Sequence, residues 1–340
     1  MSRMWLQNGR AILNDGRAVL CSECPCGCRY TYYVDHSLET SGDGHSWETA
    51  FNSVNDAFNS LEISNYRISG CKIFVKIRGT ITYYLSGAYS SASPGKIVLR
   101  PEYDDGRVTA DFGYQYNNTM HISNAVFDKW DISVTSTIAG NPGGVFDLSG
   151  DCSFQNCTMD CNFEWGSSYF EYAVIYSAGS ILTINNCEFN LSISRSGSSL
   201  WSSNISLIQK SSTGTSLIVK DTTINLKTTG LANNANVSLS GIVSTAVSGA
   251  CVLENVTVNF DISTSYNSSK YIRFLAYAFN LTTYGAVSSC GGLFDISVGT
   301  SKYIACRFYT AGTSTVFYNC TQYCVVYGAG MTCDDCAELS

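Results

Sequence analysis

The sequence predicts an all-β chain wound as a parallel β-helix, and three observations predict it. Five stretches align as repeats: CSFQNCTMDCNFE from Cys152, LTINNCEFNLSIS from Leu182, LIVKDTTINLKTT from Leu217, CVLENVTVNFDIS from Cys251 and AVSSCGGLFDIS from Ala286. Their spacing of about 30 to 35 residues is that of a solenoid. Inside each stretch apolar and polar residues alternate, the period of a strand. The composition agrees. Only 14% of the 340 residues are charged, against about 25% in an ordinary globular chain. Ser, Thr, Asn, Gly and Tyr supply the polarity instead, a mix suited to strands and tight turns.

The elements follow in chain order. Residues 1–31 read as an appendage. Its start, MSRMWLQNGRAILNDGRAVL, is broken by Asn-Gly and Asp-Gly turns, as in a small β-meander, and it lacks the basic-then-apolar pattern of a signal peptide. CSECPCGC follows, with Cys21, Cys24, Cys26 and Cys28 close together. Residues 32–62 read as an entry strand and a helix. Ser46 suits the N-cap, and Trp47, Ala50, Phe51, Val54, Ala57, Phe58 and Leu61 fall on one helical face, placed to cover the N-terminal end of the core. Residues 63–330 are the β-helix, with CKIFVKIRGTITYYL and GKIVLRPEYDDGRV as its first rungs and about seven to nine rungs in all. Residues 331–340 are a tail holding Cys333 and Cys336.

Each repeat also predicts a corner. Leu182 and Ile184 point inward before Asn186; Cys187, Phe189, Leu191 and Ile193 point inward after it. That one-residue change of parity turns the chain, and Asn tolerates the left-handed conformation such a turn needs. Asn156, Asn186, Asp221, Asn255 and Asn319 are therefore expected to stack as a ladder of side chains. One residue further on, Cys157, Cys187, Thr222, Val256 and Cys290 form a small inward column, with the cysteines as compact buried thiols. Rung spacing puts Cys157 within disulfide reach of Cys187. Met159, Phe189, Ile224 and Val258 form another inward column. Polar excursions at 164–171, 195–204, 229–238 and 264–271 follow the anchor strands and are expected to protrude on one side.

The entry segment, YYVDHSLETSGDGHSWETAFNSVNDAF from Tyr32 to Phe58, resembles the start of proteins of the pectin-lyase-like superfamily. There a YVD-type strand, a G-D-G turn and an S-W-x-x-A-F helix precede the first rungs. The resemblance covers residues 30–330 as architecture and implies a right-handed parallel β-helix with an N-terminal capping helix and a short Cys-rich appendage. Enzymes of the superfamily cleave acidic polysaccharides. Their lyases use carboxylates for calcium and a Lys or Arg base, and their hydrolases use clustered Asp residues. Neither pattern matches this chain residue by residue, so the resemblance assigns no catalytic residue.

Three groups of residues remain as site candidates. Asp261 and Asp295 occupy equivalent outward positions in NFDIS and LFDIS. On adjacent rungs they stand about 5 Å apart, a spacing that suits a retaining glycosidase pair, but Lys227 in the same column also balances Asp261. Trp165, Tyr169, Trp201 and Tyr266 lie in or beside the excursions, where aromatic faces bind sugars or pack the loops. Cys21, Cys24, Cys26 and Cys28 offer four thiolates to zinc, at a spacing tighter than the usual pair of zinc knuckles. Zinc is the one cofactor the sequence suggests, and none is required. The alternative is a terminal fastening between subunits.

The net charge of −7, without a run of Lys or Arg, excludes the basic surface of a nucleic-acid partner. No stretch approaches the roughly 18 apolar residues of a membrane-inserted helix. Sixteen cysteines without a signal peptide fit a particle assembled in a cytoplasm and released, and so an extracellular or virion-associated location. The sequence thus reads as a structural or adhesive module presenting loops to a cell-surface glycan, as a homo-oligomer, trimeric or head-to-tail. The alternative is a polysaccharide lyase or glycoside hydrolase.

Overall fold

The computed structural model describes residues 4–7, 10–13, 29–68, 70–82, 95–113, 119–138, 145–165, 170–179, 181–195, 202–210, 216–229, 236–244, 251–264, 273–281, 285–291, 294–298, 303–310 and 316–318. The chain is mostly strand. It forms a 16-stranded sheet, a 7-stranded sheet and a separate two-stranded hairpin. The hairpin pairs Met4–Gln7 antiparallel with Arg10–Leu13. Pairings in the two large sheets are parallel, so the architecture is that of a β-solenoid.

The described strands lie on three faces. The first face is the 7-stranded sheet, from Met120–Ser123 through Phe146–Ser149 and Phe170–Ser177 to Tyr303–Thr310. The second runs from Arg29–Asp35 through Lys72–Arg78, Ile97–Pro101, Ala125–Asp128, Asp151–Gln155 and Ile181–Asn185. It continues with the first halves of Ser216–Thr229 and Cys251–Thr264, then Gly285–Gly291 and Val316–Tyr318. The third holds Val108–Gly113, Trp130–Ile138, Thr158–Trp165, Glu188–Arg195 and the second halves of the two long strands. Ten described strands stack on the second face. That exceeds the seven to nine rungs expected because the entry strand is itself a member of the stack.

The core is made of columns. Met159, Phe189, Ile224 and Val258 stack in register as predicted and are fully buried. Phe127 and Phe154 stack nearly parallel at 4.8 Å between ring centroids, and Phe146 meets both edge-on. Such pairs add about 0.5–1.5 kcal/mol each beyond the area they bury.

The corner between the second and third faces is left-handed, as the parity change predicts. Asn156, Asn186, Asp221 and Asn255 have φ of 56°, 52°, 48° and 52°, and Lys129 takes the same place at 59°. A second corner, between the first and second faces, was not anticipated. Asn124 has φ 51° and Gly150 φ 65°, and Asn124 Oδ1 accepts from the Asp151 amide at 2.8 Å. Backbones approach so closely there that a Cβ at Gly179 would lie 2.1 Å from the Gly150 carbonyl oxygen.

The entry segment departs from the expected single helix. Ser46 does not start it. Its Oγ accepts from the Thr49 amide at 3.3 Å, closing one turn, and Phe51 then bridges Val34 in extended backbone. The helix begins at Val54, where Ser53 is the N-cap and accepts from the Asp56 amide at 3.0 Å. This is α1, Val54–Asn59; α2, Leu61–Ile68, follows Ser60. Trp47 therefore lies off the helix, and Leu61 is 81% exposed rather than inward. Val54, Ala57, Phe58, Ile63 and Tyr66 are buried in the core cluster.

Candidate functional site

Two ladders of amides run along the third face and its corner. In the predicted one, Asn186 Nδ2 donates to Asn156 Oδ1 at 2.8 Å, and Asn156 Nδ2 donates to Asp128 Oδ1 at 3.2 Å. Asn255 Nδ2 donates to Asp221 Oδ1 at 2.8 Å. Asn319 lies outside the described residues. The second ladder, four residues beyond each anchor, was missed. Asn190, Asn225 and Asn259 each donate to the rung before, at 2.7, 2.6 and 2.7 Å, and the row ends on Asp160. Its signal was legible: Asp160, Asn190, Asn225 and Asn259 share one repeat position. Every run ends at its N-terminal side on a carboxylate. That follows from chemistry, since a carboxylate only accepts and so closes a row of amides that donate backwards.

Outside these ladders the third face is a continuous polar surface. Thr158, Glu188, Thr223 and Thr257 form one register column, and Asn162, Ser192, Lys227, Asp261 and Asp295 form another. Asp261 lies beside Asp295, one rung of about 4.8 Å away, as predicted. Its carboxylate is held by Lys227, whose Nζ stands 2.8 Å from Oδ2, both side chains being half-exposed. Lys220 and Glu254 make a similar rung-to-rung pair at 2.5 Å. The face presents polar side chains at the fixed spacing of the rungs.

The predicted aromatic residues divide. Trp165 ends the strand Thr158–Trp165, in register between Ile138 and Arg195. Tyr169, Trp201 and Tyr266 lie outside the described residues, as do Cys21, Cys24, Cys26 and Cys28. The strands that bracket the excursions are informative. Those before them end together, with Trp165 beside Arg195 and Ser194 beside Thr229. Those after them begin together, with Phe170 beside Ser203 and Ser202, Asn236 and Arg273 in one column. The strand ends on either side of these excursions are therefore aligned along one edge from rung to rung.

Two further clusters came only from the structure. Arg78 donates to Glu102 through Nε at 2.8 Å and Nη2 at 2.5 Å, and to Asp35 through Nη1 at 3.1 Å. Its guanidinium lies 4.2 Å from the Trp47 ring centroid, and Tyr33 meets that ring edge-on at 4.7 Å. Burial opposes the charge on Asp35, but bonds from Ser37 and Arg78 outweigh it and hold its carboxyl below the usual range. The cluster pins the 36–51 loop to the first strands. On the first face His121 Nδ1 and Asp147 Oδ2 pair at 2.8 Å across neighbouring rungs. The other histidines take different partners: His45 Nε2 reaches Glu62 at 3.2 Å, while burial against the loop pushes His36 down.

The buried thiols Cys157 and Cys187 are free, as are Cys152, Cys161 and Cys251. Their column has a structural use. Cys157 and Cys187 donate Sγ–H to the carbonyls of Gln155 and Asn185 at 3.3 Å, and Thr222 donates Oγ1–H to Lys220 at 2.7 Å. Each adds a second donor to the carbonyl two residues back, across the corner, which also accepts a backbone amide from the neighbouring rung. Comparison of the chain with protein-family models, with curated proteins and with solved structures found no match in any of the three.

Proposed function

We propose that the chain is a right-handed parallel β-helix of the pectin-lyase-like type. In this reading it is a structural or adhesive module of an extracellular or virion assembly that holds a row of loops against a cell-surface glycan. The observation behind the reading is the edge along which the strands flanking the excursions end and begin at rung after rung. Handedness follows from the strong preference of parallel crossover connections for the right-handed form. Asp261, paired with Lys227, serves here as a rung-to-rung tie. Helices α1 and α2 cap the N-terminal end. The Cys-rich appendage, with or without zinc, fastens one copy to another in a trimer or head-to-tail stack.

The test is glycan retention. Purified chain is passed over immobilised acidic and neutral polysaccharides beside Trp165→Ala and Trp201→Ala variants. The reading predicts retention that falls at least tenfold in the variants while far-ultraviolet circular dichroism is unchanged. Retention by no polysaccharide, or retention indifferent to both tryptophans, rejects it. The second reading, a lyase or hydrolase, draws on one observation: the register that sets Asp295 beside Asp261.

A further inference from the structure

Cys157 and Cys187 face each other across one rung, just past the left-handed corner. Glu188 N donates to Cys157 O at 2.9 Å, so the two rungs are in register at this point. The Cys157 amide donates to Cys187 Sγ at 3.4 Å, so the Cys187 sulfur already leans onto its neighbour. Both side chains are buried, at 1% and 5% exposure. Three other buried thiols stand beside aliphatic residues. Cys152 stands beside Leu182, Cys161 between Val134 and Leu191, and Cys251 beside Leu217.

We propose that Cys157 and Cys187 are a covalent modification site, a latent disulfide that ties two rungs together after two-electron oxidation by a peroxide. Cys187 attacks one peroxide oxygen and the O–O bond breaks, giving Cys187 sulfenic acid and water. The Cys157 sulfur then attacks the sulfenic sulfur, the S–O bond breaks, and the hydroxyl leaves with the Cys157 proton as a second water. Two thiols and one hydrogen peroxide thus give one disulfide and two waters. A peroxide is small and uncharged, which suits a site closed to larger oxidants. The rung spacing of about 4.8 Å lies within the range of about 4.4–6.8 Å between α-carbons that a disulfide spans.

The roles within the pair follow from their surroundings. Hydrogen bonding from Cys157 holds Cys187 below the usual thiol range, whereas burial pushes Cys157 up. Cys187 is therefore the nucleophile toward peroxide, since the thiolate is the reactive form. Oxidation removes the two S–H bonds to the Gln155 and Asn185 carbonyls and replaces them with a covalent tie closing a loop of about 30 residues, which restricts the unfolded chain.

The experiment starts from the full chain purified with its thiols reduced. It is treated with hydrogen peroxide, free thiols are alkylated, and peptides are mapped by mass spectrometry. The proposal predicts a Cys157–Cys187 linked peptide two hydrogens lighter than the sum of its parts, while Cys161 and Cys251 stay reduced. The midpoint of thermal unfolding rises by about 2–5 °C and returns on reduction. Cys187→Thr, which copies Thr222 at the next rung, keeps the fold and shows neither change. The proposal is overturned if Cys157 and Cys187 stay reduced, pair with other cysteines, or advance to sulfinic and sulfonic acids. The peptide map of the unaltered chain decides this even if the variant fails to fold.

Discussion

At the scale of single residues, the structure depends on side chains that donate to backbone carbonyls at corners. Cys157, Cys187 and Thr222 do the same work with different atoms, so the chemical requirement is a small side chain with one donor. Cys187→Thr is expected to change stability by less than about 1 kcal/mol. Cys187→Ala, which leaves the Asn185 carbonyl without that donor, is expected to cost about 1–2 kcal/mol; chemical denaturation of the two variants checks the contrast. Lys210 is the opposite case. It is fully buried, in register between Ser177 and Ser244, with its ammonium on the Gly179 carbonyl. Burial lowers its pKa from 10.5 to about 8. Below pH 8 the ammonium is charged in both states, and the folded state bears the full cost of burying it. Between about pH 8 and 10.5 the unfolded chain binds the proton and the folded one does not, so this contribution favours folding as pH rises. Lys210→Met should therefore raise the unfolding midpoint at pH 7, by the equivalent of about 1–3 kcal/mol. Its advantage over the unaltered chain should shrink steadily toward pH 10. An advantage that does not vary with pH contradicts this account of Lys210.

At the scale of the element, the amide ladders are directional rows, and one row is interrupted. Asn186 presents an oxygen toward the next rung, but Asp221 there has no amide to donate, and among the described residues no hydrogen bond joins them. Asp221→Asn supplies the missing donor and keeps a residue suited to φ 48°. It should stabilise the chain by about 0.5–1.5 kcal/mol. Asn186→Ala removes a ladder member and puts a Cβ into left-handed backbone at a site that rarely accepts one. It should cost about 2–4 kcal/mol. Denaturant titration of both variants reads the two signs. This element was largely legible beforehand. A change of inward parity at Asn186 is a local property of the sequence, and hydrogen bonding between stacked identical side chains follows once rungs are in register. The second ladder was equally periodic but looked like ordinary solvent-facing polarity. The corner at Asn124 and Gly150 was hidden because it changes residue type from rung to rung. The helix start was misplaced for a physical reason: Ser46 is a good cap in isolation, but the bridge between Phe51 and Val34 holds Phe51 in extended backbone and ends the turn that Ser46 begins.

At the scale of the whole molecule, the account is of a rigid stack whose regular face is polar and tied rung to rung. The described strands on either side of the polar excursions end and begin along one edge. The solenoid was readable from the sequence because it repeats, and repetition turns weak local signals into columns. The chemistry was less readable, since a column of like residues arises from stacking whether or not it acts on a ligand. Asp261 illustrates this. The repeat gave it Asp295 as a neighbour on one side, and the structure adds Lys227 as a partner on the other. The central claim, a module that holds a glycan without cutting it, is tested most directly by turnover. The chain is incubated with acidic and neutral polysaccharides that it retains, and new reducing ends and unsaturated products are followed, with Asp261→Asn beside it. The account predicts retention without product in both. Release of oligosaccharides by the unaltered chain, lost in Asp261→Asn, contradicts it.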